Sequence, residues 1–171
     1  MKKYAWLLVI GLLLGVFLLS CNKDKTENLE IGQLISHSDC KDFNTKSSSL
    51  TESYGPDKSC VTYSYNPQNK KLTFKHINSA FNCCPGILFC QIEVLNDTIR
   101  IIENEENADC RCNCLYDLDI NVLNIELDKY QVIIDEPYCL DQEKINFEID
   151  LAVNDTGEFL VTRTIYPWGI Q

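Results

Sequence analysis

From Cys60 onward, apolar and polar positions alternate along the chain. "CVTYSY" places Val61, Tyr63 and Tyr65 on one face, and after the turn "NPQNK" the run "KLTFKHI" does the same with Leu72 and Phe74. "ILFCQIEVL" aligns Leu88, Cys90, Ile92 and Val94, and "TIRII" follows the turn Asn96-Asp97. "LYDLDINV" sets Tyr116, Leu118, Ile120 and Val122 against Asp117, Asp119 and Asn121. "YQVII", "INFEIDL" and "EFLVTRTI" complete the series, the last after the turn "NDTG". A period of two over so many short, turn-bounded segments predicts an all-β domain whose sheets each keep one wet face. No stretch beyond residue 21 shows the 3.6-residue period of a helix.

About eight strands over residues 56–171 suit an antiparallel β-sandwich better than a large barrel. "DINVLNIELDKYQVII" has a strand, a corner carrying Leu123 and Leu127, and then Tyr130 opening the next strand. It resembles the tyrosine corner of immunoglobulin-like and fibronectin-like sandwiches, which implies a Tyr130 hydroxyl bonded back to the corner backbone. A core of this size is workable but modest, so cross-links would help it.

The N-terminus has a different pattern. Two lysines precede an apolar run from Ala5 to Leu19, and the chain turns polar at Asn22-Lys23-Asp24-Lys25. That is the layout of an export signal, and the run is short for a membrane span. Leu18-Leu19-Ser20-Cys21 resembles the lipobox of bacterial lipoproteins. The resemblance implies cleavage before Cys21, a diacylglyceryl group on its thiol and, with a further acyl chain, stable anchoring to a membrane. Residues 1–20 are then a signal peptide. The expected location is the outer membrane or the periplasmic face of the inner one; by the aspartate rule of enteric bacteria, Asn22 carries no inner-membrane retention signal. Residues 21–55 hold few large apolar groups and read as a polar tether, pinned to the domain at its far end by Cys40. The cluster Ile31 to Ile35 leaves open a first strand there.

Charge and cysteine content narrow the partners. Removing residues 1–20 takes away Lys2 and Lys3 and no acid, so 15 basic side chains become 13 against 25 acidic ones, a charge of about −12. Such a chain repels phosphate backbones, which excludes nucleic acid as a partner class. It also leaves tethering to the lipid. Ten cysteines are present, nine once Cys21 is lipidated. At that density an exported chain carries a disulfide framework, and the odd count leaves at least one thiol out.

If the strand runs unbroken from Cys110, then Cys110, Cys112 and Cys114 share the face of Tyr116 and Leu118. Residues two apart in a strand lie about 6.6 Å apart, at the limit for a disulfide, so each should find a partner elsewhere. "NCCPGILFC" offers Cys83, Cys84 and Cys90, and three facing three is the simplest expectation, with Cys40, Cys60 and Cys139 partly paired. The rival is a thiolate metal site for Zn²⁺ or Cu(I) using Cys83, Cys84, Cys110, Cys112, Cys114 and His76, although the C-x₂-C spacing of structural zinc sites is absent. Thiol exchange lacks the C-x-x-C motif at a helix start. Phosphate-loop, dinucleotide, zincin and serine-hydrolase motifs are absent. A catalytic triad would have to use His76, which shares the face of Leu72 and Phe74 and reads more simply as a core histidine. The blocks "HINSAFNCCPG", "CRCNCLYDLDI" and "YPWG" resemble those of a group of small cysteine-rich exported bacterial proteins, which implies one cysteine-rich β domain and transfers no functional residue. The expectation is a lipid-anchored, non-catalytic binding or structural module of the cell envelope, without a cofactor, meeting a protein or glycan ligand.

Overall fold

The computed structural model describes residues 31–41, 43 and 54–168. Residues 1–20, read as a signal peptide, Cys21 and most of the segment read as a tether lie outside them. Nine strands are described: β1 (Gly32–His37), β2 (Lys58–Asn66), β3 (Lys71–Asn82), β4 (Ile87–Leu95), β5 (Thr98–Glu106), β6 (Asn113–Val122), β7 (Lys129–Asp135), β8 (Ile145–Asp150) and β9 (Thr156–Thr162). They form a five-stranded sheet, in the order β1-β6-β3-β2-β9, and a four-stranded sheet, in the order β4-β5-β7-β8. The protein is an all-β, disulfide-rich sandwich.

The alternation read from the sequence sets what lies between the sheets. Phe74, Leu118 and Ile120 from one sheet meet Ile99, Ile101 and Val132 from the other, and all six are fully buried. Burying a side chain of this kind stabilises the fold by about 1.5–3 kcal/mol before entropy is counted. At one edge Phe147 of β8 stacks on Phe159 of β9 with ring centroids 4.8 Å apart, linking the two sheets. Asn96 turns the β4–β5 hairpin at φ 54°, a conformation that asparagine tolerates better than most residues.

Two features depart from expectation. β1 lies inside the segment read as a tether and pairs antiparallel with β6, Leu34 opposite Ile120. The apolar cluster at Leu34 is enough to hold it, because Leu34 packs against the core. The second is a parallel pair, β5 with β7. Between them the chain crosses to the other sheet as β6 and comes back, so β5 and β7 run the same way. The corner before β7 is closed as a tyrosine corner closes: the Tyr130 hydroxyl donates to the Glu126 carbonyl at 3.3 Å and accepts the Glu126 N–H at 3.2 Å.

Candidate functional site

Register decides which cysteines meet. β3 and β6 pair antiparallel out to Asn82 opposite Asn113. One residue further, Cys83 lies against Cys112 and is bonded to it; Cys84 reaches past Arg111 to bond Cys110. Cys114 sits opposite Phe81 and has no cysteine across β3. It turns instead to the β1 side, where Lys41 N–H donates to the Leu115 carbonyl, and bonds Cys40. The arrangement of three facing three is therefore corrected: two of the bonds join the two segments and the third leaves for Cys40. Cys90 is unpaired, as are Cys60 and Cys139 among the described residues. Cys90 stands in the other sheet, on β4, opposite Glu103 of β5. The unbroken row of buried sulfurs is corrected as well. β6 begins at Asn113, so Cys110 and Cys112 belong to the preceding loop, and Cys112 is exposed while Cys114 is buried.

These bonds frame a groove of about 410 Å³ lined by His37, Ser38, Asp39, Cys40, Cys83, Cys84, Pro85 and Tyr116. Its polar groups come from the chain leaving β1. The His37 ring stands edge-on to Tyr116 at 6.0 Å. Its Nδ1 donates to the Ser38 carbonyl at 2.8 Å, which in the neutral ring leaves Nε2 as an acceptor. Asp39 is exposed beside it.

A second cluster lies inside the sandwich. His76 Nδ1 bonds Glu103 Oε1 at 2.6 Å and His76 Nε2 bonds Ser59 Oγ at 2.8 Å. Ser79 donates to the other Glu103 oxygen at 2.6 Å. Glu136 Oε1 stands 3.7 Å from His76 Nε2, and Arg163 pairs with Glu136. The Arg163 guanidinium also donates to the Glu143 carbonyl at 2.6 Å and lies over the Trp168 ring, 4.7 Å from its centroid. A β-bulge makes this possible. Register shifts between His76 and Ser79, with Asn78 at φ 64°. Alternation would place residues three apart on opposite faces; the extra residue turns both inward to Glu103.

Ser59, His76 and Glu103 repeat the order of an acyl-transfer triad. Ser59 and His76 have 0% exposure and Glu103 2%, and none of the three lines the groove. A nucleophile sealed between two sheets meets no substrate, so the cluster holds charge rather than performing catalysis. Burial pulls the His76 pKa down, but the Glu103 carboxylate, its hydrogen bond and Glu136 more than offset this, and the net shift is upward. Burial also pushes Glu136 up, against the pull of His76 and Arg163. When protonated, His76 joins Arg163 as a second cation facing the Glu103 and Glu136 carboxyl groups.

His76 is thus engaged away from the cysteines named with it as metal ligands, and the Cys114 sulfur is taken by Cys40. As disulfides the six sulfurs are not thiolate ligands, and among the described residues no three His, Cys, Asp or Glu side chains are grouped to hold a metal ion. Sequence reasoning found His76 and missed its partners. Their signal was parity: Glu103 continues the inner row Ile99-Ile101, Arg163 continues Val161, and Ser59 precedes Val61. Cys21 lies outside the described residues. Comparison with protein families, with curated proteins and with solved structures finds no match to this chain.

Proposed function

We propose that the protein is a lipid-anchored module of the bacterial cell envelope that holds a protein or glycan ligand without transforming it, through the groove at its cross-linked end. The observation that carries this reading is the set of three disulfides around that groove. Disulfides form and persist beyond the inner membrane, where a lipobox-bearing chain is delivered. They also spare a ligand the cost of ordering the loops it touches. Cys40 links the anchor-side segment to β6, so the groove stands where the chain coming from the membrane joins the domain.

The test has two arms. Full-length protein expressed in a bacterium with its leader should fractionate with membranes, and Cys21→Ser should release it. A photo-crosslinking amino acid at His37 should give adducts in intact cells that the same probe at the exposed Val153, between β8 and β9 and outside the groove lining, does not. A soluble wild-type chain would contradict the anchor; equal adducts at both positions, or none at 37, would contradict the groove.

A further inference from the structure

We propose that Cys83, Cys84, Cys110 and Cys112 form, in the dithiol-reduced protein, a four-thiolate site for one zinc ion, so that two exposed cross-links interchange with a metal centre. The four residues make two adjacent rungs between the turn after β3 and the loop before β6, each with Cα atoms 5.5 Å apart. Cys84 and Cys112 are exposed, so a reductant can reach both rungs.

The frame around the sulfurs is also held by hydrogen bonds that involve no sulfur. Cys83 N–H donates to the Cys112 carbonyl at 2.9 Å. The Asn82 carboxamide accepts the Cys84 N–H at 2.9 Å and donates to the Cys110 carbonyl at 2.6 Å, tying the two segments through one side chain. Gly86 N–H bonds the Glu106 carbonyl at 3.0 Å just beyond. With the disulfides opened, four thiols stay on one hydrogen-bonded loop pair. Tetrahedral zinc needs sulfurs about 3.8 Å apart against about 2 Å in a disulfide, a change within reach of side-chain rotation. Arg111, exposed between Cys110 and Cys112, offers a positive charge beside a centre that would carry two negative ones.

The chemistry balances. Each disulfide takes two electrons and two protons from a dithiol, which leaves as its own disulfide. Zinc then displaces four protons, one for each Zn–S bond formed. Cys40 and Cys114 take no part, and the site does not depend on whether the groove holds a ligand.

Purified full-length protein is reduced with a phosphine, supplied with Zn²⁺ and freed of excess by gel filtration. Bound metal is then measured alongside near-ultraviolet circular dichroism. The reduced protein should retain one zinc per chain and the oxidised protein none. Cys40→Ser with Cys114→Ser should keep the site, while Cys84→Ser with Cys110→Ser, or Cys83→Ser with Cys112→Ser, should lose stoichiometric binding. Equal zinc on the oxidised protein, or zinc retained by both of the latter pairs, would overturn the proposal. So would a reduced chain that stays folded without taking zinc, or one that unfolds and is not restored by it.

Discussion

His76 and Glu103 meet across the two sheets at 2.6 Å, one on β3 and the other on β5, with neither side chain exposed to water. Ser79 holds the second Glu103 oxygen, so the carboxylate is satisfied only while both sheets are in place. Glu103→Ala leaves a buried imidazole and a buried hydroxyl without their acceptor. It should destabilise the fold by about 3–5 kcal/mol in urea unfolding, the usual consequence of breaking a buried pair from one side. A loss below about 1 kcal/mol would mean that the pair contributes no more than a surface one.

The same cluster sets a direction for pH. His76 and Glu136 both have folded pKa values above their ordinary ones, so the folded protein binds protons more tightly than the unfolded chain. For His76 the resulting stability is complete below the unfolded value of about 6.5 and is lost as pH rises through the folded value. Unfolding free energy should therefore fall as pH rises above about 6.5 and through the folded His76 value. The fall should shrink in Glu103→Gln, where the carboxylate that favours the imidazolium is gone. Stability that rises across this range would have the wrong sign.

The Cys40–Cys114 bond closes the longest loop, with a sequence separation of 74 against 29 and 26 for the other two. On loop-closure entropy its removal by Cys40→Ala with Cys114→Ala should cost about 4 kcal/mol, somewhat more than either of the others. Because it pins the chain just after β1, amide exchange should quicken first at Gln33 to His37. Unchanged exchange there would show that the pairing with β6 holds β1 by itself.

Trp168 is fully buried, packs with Ala80 and Leu115, and donates its indole N–H to the Asn78 carbonyl at 2.7 Å. Trp168→Ala should cost about 3–5 kcal/mol. Trp168→Phe keeps most of the area and should lose only about 1–3 kcal/mol, the cost of leaving the bulge carbonyl unpaired. Equal losses in the two variants would show that the hydrogen bond, not the packing, holds the tail.

Burial pushes the thiols of Cys60, Cys90 and Cys139 above the usual cysteine range. Thiolate is the reactive form, so native Cys21→Ser protein at pH 8 should react slowly with a disulfide reagent and release three equivalents only after denaturation. Rapid reaction in the native state would place one of them at the surface.

Much of this was legible in period-two alternation, because a half-buried strand writes its burial directly into the sequence. Tyr130 announced its corner in the same way. The cysteine pairing was not legible, because it turns on a one-residue slip: Cys84 bonds Cys110 and not its register neighbour Arg111, while Cys114 faces Phe81. The internal charge cluster was hidden by a bulge at Asn78 that alternation cannot reveal. Yet Glu103, two residues beyond Ile101, was an inward-facing acid in plain sight. β1 was masked by its polar setting, where one partly buried leucine carries the strand.

Anchor and disulfides are tested together by one intact mass spectrum of full-length protein extracted from membranes with detergent and alkylated under denaturing, non-reducing conditions. The expected spectrum shows a chain beginning at Cys21 with lipid on that residue, three disulfides, and alkyl groups on Cys60, Cys90 and Cys139 alone. A chain that keeps residues 1–20, with Cys21 alkylated and the cysteines of the groove free, would contradict it.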